Sequence, residues 1–177
     1  MDNGWLGWAA GIIDGEGSIT LQRGRATTLN RRRTDQIALF VRAVNSNAEA
    51  MYKLRDLFGG SIGIRRPRKV EECFPNAQAS KGVTHYLPQY TWLLTSGKAA
   101  AFLRKIRPWL VIKAPHAQIG LEFWKVCAKP PGWNAKGAGP ALRLSDDEAR
   151  VRQKFFEQMR LTQVRSRPIA VQQSALV

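Results

Sequence analysis

The sequence contains few of the residues that build disulfide frameworks or zinc sites. Cys73 and Cys127 are its only cysteines, and two cysteines are too few for a disulfide scaffold or a cysteine-based zinc site. The two histidines, His85 and His116, do not lie at ligand spacing from either cysteine. We therefore expect both histidines to be ordinary surface or core polar residues.

Long hydrophobic runs are also missing. No apolar run reaches the roughly 20 residues that a membrane-spanning helix needs. The first apolar stretch has no basic residues ahead of it, whereas a signal peptide carries such a basic flank. These absences predict a soluble, intracellular protein with no membrane partner.

Acidic residues are scarce. The 177 residues include 13 Asp and Glu against 28 Lys and Arg, which gives a net charge of +15. A positive surplus of this size on one domain is typical of proteins that bind nucleic acid. A solvated basic surface without a specific partner is the alternative. An anionic membrane surface is disfavoured, because no basic amphipathic helix stands out.

Hydrophobic periodicity predicts a mixed fold. The predicted helices are residues 4–14, 47–59, 97–107, about 115–128 and 145–161, and the predicted strands are 18–25, 36–45, 60–69 and 84–95. Two hairpins with the helices segregated to one side predict an α+β fold with a four-stranded antiparallel sheet.

Local signals mark the ends of several elements. Asn3 is suited to cap the first helix, and Gly59 is suited to end the second. Pro88 predicts an irregular or edge position in the fourth strand, because proline has no N–H to donate to a neighbouring strand.

The C-terminal part of the chain is predicted to form a separate helix. Ser145 and Glu148 match the Ser-x-x-Glu capping box that begins many helices. Residues 129–144 are rich in proline and glycine and predict a linker. We therefore divide the chain into a core (1–128), this linker, and a C-terminal helix and tail (145–177) packed on the core.

The face of the sheet that the helices leave open is predicted to bind DNA, because its alternating positions are polar or basic. β-Strands can enter the major groove, where Arg pairs with guanine and Gln with adenine. The candidates for reading bases are Ser18, Thr20, Gln22, Arg25, Gln36, Arg42, Arg65 and Gln89. The candidates for holding phosphates are Arg31, Arg32, Arg33, Arg66, Arg68 and Lys69.

The first helix carries a stripe of glycines. Gly7, Gly11 and Gly15 recur every four residues and so lie on one helix face. Such a stripe lets another backbone approach closely, either that of a like helix in an assembly or that of this chain's own sheet.

Two acids, Asp14 and Glu16, flank Gly15 at the end of this stripe. Carboxylates are hard ligands suited to Mg²⁺. If two copies of the helix met, their acids would converge with cations between them, as in two-metal phosphodiester hydrolysis. An ordinary pair of turn acids at a helix end is the alternative.

A resemblance to a known family bears on these alternatives. The stretch AAGIIDGEG (9–17) resembles the LAGLIDADG motif of homing endonucleases, with Ala9 in place of the first leucine. FGGSI (58–62) and FLRKIRPWLVIKAPHAQ (102–118) resemble further segments of that family. The resemblance implies an αββαββα core with a saddle-shaped sheet through about residue 128. It leaves the C-terminal helix unexplained.

The resemblance also implies roles for individual residues. Glu16 would hold a divalent metal ion at the scissile phosphates, assisted by the carbonyl of Gly15. Asp14 would hold the helix end or the interface between copies. Lys113 would be the catalytic basic residue near the active site, where it would polarise water or offset charge in the transition state. Asn45 would orient the attacking water, although Asn47 or Arg42 could replace it.

A single copy of the motif implies a homodimer, with Gly7, Gly11 and Asp14 at its interface. Such a dimer would bind a palindromic or nearly palindromic duplex. The implied reaction is a double-strand break with short 3′ overhangs, dependent on Mg²⁺ or Mn²⁺, with Ca²⁺ as a non-cleaving substitute. An intron-encoded gene fits this family. A cleavage-inactive DNA-binding regulator, or a maturase that binds its intron RNA, are the alternatives.

Overall fold

Nine helices and strands make up the described part of the chain. The computed structural model describes residues 2–24, 36–65, 87–128 and 145–165. The elements follow in the order α1 (Asn3–Glu16), β1 (Gly17–Gly24), β2 (Gln36–Asn45), α2 (Ala48–Phe58), β3 (Ser61–Arg65), β4 (Gln89–Thr95), α3 (Ser96–Ile106), α4 (Ala114–Cys127) and α5 (Asp146–Arg165). A 3₁₀ turn, Arg107–Trp109, lies between α3 and α4.

The four strands form one antiparallel sheet in the order β1-β2-β4-β3. Two hairpins, β1-β2 and β3-β4, are therefore joined through their second strands, and the predicted α+β fold is confirmed. The fourth strand begins at Gln89 rather than at residue 84 as predicted. Pro88 comes directly before this first residue, where its missing N–H does not interrupt the pairing.

The core lies between the sheet and the helices. Alternate residues of the two central strands, such as Leu39, Val41 and Leu94, are fully buried on the side that the helices cover. Trp92 is also fully buried, and its indole N–H donates to the Gly59 carbonyl at 2.7 Å. The described helices thus pack against one face of the sheet and leave its other face open.

Helix ends follow the predicted signals with one correction. The first helix is capped by Asp2, whose carboxylate accepts a hydrogen bond from the Gly4 N–H, and not by the predicted Asn3. The cap lies one residue earlier because Asn3 already belongs to the helix. Gly59 ends α2 as predicted, with a φ of 75° that favours glycine.

The C-terminal helix begins at the predicted capping box. The Ser145 N–H donates to the Glu148 carboxylate at 3.1 Å, and the Glu148 N–H donates to the Ser145 hydroxyl at 3.2 Å. The helix continues four residues beyond the predicted end at 161. Arg152 ties it to the sheet and to α4 by donating to the carbonyls of Ile37 and Cys127.

Several sequence predictions fall outside the described residues. These are the linker 129–144 and the DNA-contact candidates Arg25, Arg31, Arg32, Arg33, Arg66, Arg68 and Lys69. They remain predictions, as does the division into three segments.

Candidate active site and nucleic-acid interface

The C-terminal end of α1 places two acids at the start of the sheet. The helix passes into β1 without a loop, and Gly17 is the first strand residue. A Cβ at Gly17 would lie 2.7 Å from the backbone of Ile13, closer than packed atoms allow. Glycine is therefore required for this tight junction, which fixes Asp14 and Glu16 relative to the sheet.

The carboxylate of Asp14 holds the segment that leads into α4. It accepts hydrogen bonds from the N–H groups of Val111 at 2.7 Å, Ile112 at 3.2 Å and Lys113 at 2.8 Å. The Lys113 ammonium in turn donates to the Asp14 carbonyl. Asp14 thus connects the first helix to residues almost one hundred positions later, within one chain.

These hydrogen bonds determine the charge state of Asp14. Burial alone would raise the pKa of its carboxyl, but the N–H groups of Val111, Lys113 and Ile112 and the Lys113 ammonium outweigh burial. The pKa of Asp14 is therefore lower than its ordinary value of 3.8. The ionised carboxylate is the form that the folded protein stabilises.

Asp14→Asn is expected to lower the free energy of unfolding at pH 7 by about 1–2 kcal/mol, because charge-assisted hydrogen bonds to backbone N–H groups are lost. The folded-state pKa is depressed, so this stabilisation is present above pH 3.8 and disappears as the pH falls through the lower folded value. Denaturant unfolding at pH 7 and at about pH 3 measures both effects.

Asp2→Asn is the matched control for this prediction. Asn caps helices about as well as Asp, so the change at Asp2 should alter stability by less than about 0.5 kcal/mol. A stability loss in Asp14→Asn that is equally large at both pH values would show that the ionised carboxylate does not carry the effect.

Lys113 lies near both acids. Burial lowers the pKa of its ammonium, while the nearby carboxylates of Asp14 and Glu16 partly offset that effect. His116, one helical turn further on, is buried, and its Nδ1 has no hydrogen-bond partner among the described residues. The structure therefore brings Lys113 close to Asp14 and Glu16, although it lies almost one hundred residues later in the sequence.

Glu16 is exposed, and no described residue forms a hydrogen bond or an ion pair with it. The two acids thus differ: Asp14 is engaged by backbone N–H groups, whereas the Glu16 carboxylate is available to a ligand. The carbonyl of Gly15 lies in the last helical turn, where carbonyls lack partners within the helix. Among the described residues, no group of three or more His, Cys, Asp or Glu side chains is arranged so that it could hold a metal ion.

Asn45 has a local structural contact. Its side-chain oxygen accepts a hydrogen bond from the Asn47 N–H at 2.8 Å, and Asn47 in turn caps α2. In the strand register Asn45 is in phase with the buried Ala43, on the side covered by helices. Arg42 is exposed on the open side and pairs with Ser18, two residues beyond Glu16.

The open face of the sheet brings together the predicted base-reading residues that the structure describes. Strand register places them on one side of the sheet, in positions that alternate with the core residues. They are Ser18, Thr20, Gln22, Arg42, Arg65 and Gln89. Gln36 shares this phase by its backbone pairing with Gly24.

The open face is not uniformly polar, which corrects the sequence expectation. Phe40, Val44 and Leu93 lie on it, in phase with Arg42. Thr91 also shares this face, opposite Val44, and the sequence reasoning did not single it out. Its alternation with the buried Trp92 was the signal that could have identified it.

The glycine stripe is partly open. A Cβ at Gly11 or Gly15 would meet no atom within 4 Å, whereas one at Gly7 would lie 3.8 Å from the Trp109 ring. The opposite side of α1 packs on the core through Ala9, Ala10 and Ile13. The stripe therefore does not pack against this chain's own sheet.

Exposed apolar residues accompany the stripe. Val111 is 81% exposed and Ile112 is 65% exposed, and both are tied to α1 through Asp14. Trp109 is also exposed and lies beside Gly7. Clustered apolar exposure of this kind marks interaction surfaces rather than ordinary solvated surface.

Comparison with solved structures identifies proteins with this architecture. The homing endonuclease I-CvuI, in complex with the I-CreI target, matches with a TM-score of 0.60 and 15% identity over 89% of this chain and 81% of its own. The archaeal intron-encoded homing endonuclease I-Vdi141I, complexed with DNA, matches with a TM-score of 0.59 and 11% identity over 92% and 86%.

A third similar structure is the LAGLIDADG homing endonuclease I-SmaMI bound to cleaved DNA. It matches with a TM-score of 0.56 and 14% identity over 87% of this chain but only 43% of its own. The chain thus has the fold of the LAGLIDADG homing endonucleases, as the motif resemblance predicted.

Sequence comparison adds nothing to this structural similarity, because no family model and no curated protein matches the chain.

Among the described helices, none is both long enough and apolar enough to cross a membrane.

Proposed function

We propose that this protein is a site-specific DNA endonuclease that acts as a homodimer on a palindromic or nearly palindromic duplex. The proposed products are a double-strand break and short 3′ overhangs. The observation that carries the proposal is the environment of Glu16, an exposed carboxylate at the end of α1 that has Lys113 nearby and no hydrogen-bond partner among the described residues. A protein that only binds DNA would not need such an acid at the position proposed to face the DNA phosphates.

The donor atoms at this position are suited to a divalent metal ion. Mg²⁺ is usually bound through one or two carboxylates together with substrate phosphates and waters, and it prefers oxygen ligands. The carboxylate of Glu16 and the carbonyl of Gly15 are the donors that this chain would supply. A metal ion bound there would stabilise negative charge on the phosphate oxygens during hydrolysis.

The Lys113 side chain would assist the same reaction alongside the metal ion. Its backbone N–H and its ammonium are both held by Asp14, so the side chain has a fixed position. A positioned cation near the scissile phosphate stabilises charge that develops in the transition state. Asn45 remains a proposed water-orienting residue, and the exposed Arg42 is the alternative on the open face.

A second copy of the chain would complete the site. The open positions at Gly11 and Gly15 permit a like helix to approach closely. The exposed Val111 and Ile112 extend the same surface and would be covered in the dimer. Two copies related by a two-fold axis would each contribute one Glu16, and a symmetric protein favours a symmetric DNA site.

The open sheet face would lie along the duplex. Arg42, Gln22 and Gln89 are exposed there and can donate to base edges in the major groove. The excess of positive charge favours phosphate contacts and predicts affinity that falls steeply with salt. Phe40 and Leu93 offer apolar contact to thymine methyl groups.

The proposal is tested by incubating the full chain with a library of randomised DNA duplexes in Mg²⁺ and sequencing the cut ends. We expect one enriched motif with two-fold symmetry, cut on both strands with a 3′ overhang. The same library in Ca²⁺ is the control and should yield bound but uncut duplexes of the same motif. Binding of that motif without any cut product in Mg²⁺ or Mn²⁺ would reject the endonuclease in favour of a DNA-binding regulator.

A further inference from the structure

The β1-β2 hairpin extends beyond the rest of the sheet. Strand β2 pairs with β4 only from Phe40 to Asn45, whereas its pairing with β1 begins at Gln36. Residues 21–24 of β1 and 36–39 of β2 therefore form a two-stranded end, which we call the β1-β2 arm. No other described strand lies beside this arm. A two-stranded ribbon is marginally stable by itself, so the arm needs support from elsewhere in the fold.

The C-terminal helix α5 contacts both strands of the arm. On β1, the Arg23 guanidinium donates to the Gln153 side chain and lies 5.0 Å from the centre of the Phe156 ring. On β2, the Ile37 carbonyl accepts a hydrogen bond from the Arg152 guanidinium at 3.2 Å. Arg23 and Ile37 are directly opposite each other in the strand register. Neighbouring residues of α5 thus hold both strands at the same level of the arm.

The same part of α5 is attached to α4. A second nitrogen of Arg152 donates to the Cys127 carbonyl at 2.6 Å, at the C-terminal end of α4. The Phe155 ring packs edge-on against the Phe123 ring of α4, with ring centres 5.9 Å apart. Helix α4 begins directly after Lys113. The arm is therefore joined, through α5, to the helix whose start holds the candidate catalytic lysine.

The open face of the arm presents Gln22, whose side chain is exposed. Gln22 alternates with Arg23, which contacts α5 on the helical side. Gln22 follows Glu16 by six residues, which is roughly 20 Å along a strand. At about 3.4 Å per nucleotide, this length corresponds to roughly six base pairs of duplex DNA. Gln22 is thus suited to read a base pair well away from the candidate cleavage position.

The polar contacts of α5 exceed what a helix needs to cover the core. Met159 is almost fully buried and already packs α5 on the core. Arg152 is half-buried and uses two guanidinium nitrogens on carbonyls of two separate elements. Because the guanidinium is planar and rigid, such a fork holds two backbone segments at a fixed separation. The arm is thereby fixed relative to α4 and not merely shielded from water.

We propose that α5 is a positioning element for DNA recognition, in which Arg152 holds the arm so that Gln22 meets its base pair at a fixed distance from the cut. The inference rests on the proposed function and concerns its base specificity. Glutamine pairs with adenine through two aligned hydrogen bonds, and these weaken steeply when the side chain is displaced. Arg152 would act through Gln22 and not through contact with DNA.

The structural part is tested by hydrogen exchange in Arg152→Met, which keeps a long side chain but removes its donors. Without DNA, amides of residues 21–24 and 36–39 should exchange at least about tenfold faster than in the wild type, because the arm opens locally. Amides of residues 41–44 and 91–94 in the central strands should be unchanged. Unchanged exchange in the arm would contradict the proposal. Faster exchange across the whole sheet would also contradict it, because Arg152 would then act on general stability.

The recognition part is tested by selecting bound duplexes from the randomised library in Ca²⁺. Gln22→Ala identifies the base pair that Gln22 reads, which should be A·T in the wild-type selection. Arg152→Met should weaken the preference at that pair at least about fivefold and keep the preferences at inner pairs. Adding Arg152→Met to Gln22→Ala should cause no further loss there, because both changes remove the same contact. A further loss in the double variant, or a uniform loss at all positions, would contradict the proposal.

Arg150→Met is the matched control. Arg150 is exposed on the same helix, and its ion pair with Asp147 lies within α5. The substitution therefore makes the same chemical change without affecting the arm or α4. Exchange and base preferences should equal those of the wild type. Equal effects of Arg150→Met and Arg152→Met would show that the lost charge, and not the contact with the Ile37 carbonyl, is responsible.

Failure of this inference is distinguishable from failure of the proposed function. A protein that selects a motif but cuts no duplex contradicts the endonuclease, while the preference at the Gln22 pair is still measured. A wild-type protein that selects no motif contradicts both the proposed function and the role of the arm in recognition. A normal motif with unchanged preferences in Arg152→Met contradicts only the positioning role of α5.

Discussion

The Glu16→Gln variant is expected to bind its target duplex at least as tightly as the wild type and to cleave it at least about 10³-fold more slowly in Mg²⁺. Gln has the same shape as Glu but no negative charge, so it is a much weaker ligand for a divalent cation. Glu16 is exposed and forms no hydrogen bond or ion pair with a described residue, so the fold should be unaffected. Single-turnover cleavage and gel-shift binding measure the two effects separately.

Glu49→Gln is the matched control for this loss of activity. Glu49 is also exposed and lies in the first turn of α2, so the substitution makes the same change in charge at a position away from Lys113. Its cleavage rate should equal that of the wild type. Normal cleavage by Glu16→Gln would mean that the assignment of Glu16 as the metal ligand is wrong.

The Gly11→Leu variant is expected to remain folded and to become monomeric, with the dissociation constant of the dimer raised about 100-fold or more. A Cβ at Gly11 meets no atom of the described residues within 4 Å, and Leu has a higher helix propensity than Gly by about 1 kcal/mol. In a two-fold dimer the added side chain occurs twice, and overpacking costs about 1–3 kcal/mol at each occurrence. Light scattering gives the oligomeric state, and thermal unfolding reports on the fold.

Ala149→Leu is the control for the added bulk. Ala149 is exposed on α5, so the same side chain is introduced on a helix surface outside the proposed interface. This variant should dimerise and cleave like the wild type. A dimeric Gly11→Leu protein would place the interface elsewhere, whereas a monomer that still makes double-strand breaks at the wild-type rate would contradict the shared active site.

The order and type of the elements could be predicted because their signals are local. The alternation in SITLQRG and QIALFVRAVN, the capping box at Ser145 and the glycine at residue 59 each depend on neighbours within a few residues. The periods of helices and strands differ enough for such patterns to be separated. Even the start of β2 at Gln36 and its end at Asn45 agree with the prediction.

The candidate site could be predicted in part. The residues AAGIIDGEG identified Asp14 and Glu16, and a second segment identified Lys113, through a resemblance to a known motif. The hydrogen bonds of Asp14 to residues 111–113 could not be predicted, because they join positions about one hundred residues apart. Those contacts explain why the Asp14 carboxylate is hydrogen-bonded, whereas the Glu16 carboxylate has no such partner among the described residues.

Side-chain surroundings were the least predictable feature. The hydrogen bond of Asn45 to the Asn47 N–H depends on the turn that begins α2, and the apolar side chains of Phe40 and Leu93 on the open face depend on the pairing of β2 with β4. A strand pattern indicates that two faces exist, but the packing of helices decides which face is covered.

The sequence by itself determined the charge of the protein, its α+β order and the acids that end the glycine stripe, because composition and short-range periodicity are written into consecutive residues. Only the tertiary structure decided that distant N–H groups bind Asp14. It also decided that, among the described residues, Glu16 has no hydrogen-bond partner and Gly11 and Gly15 have open space beside them. The physical reason is that burial and hydrogen bonding depend on which distant segments the packed core brings together. The opening helix is therefore identified by its sequence, but its two acids are distinguished by their contacts.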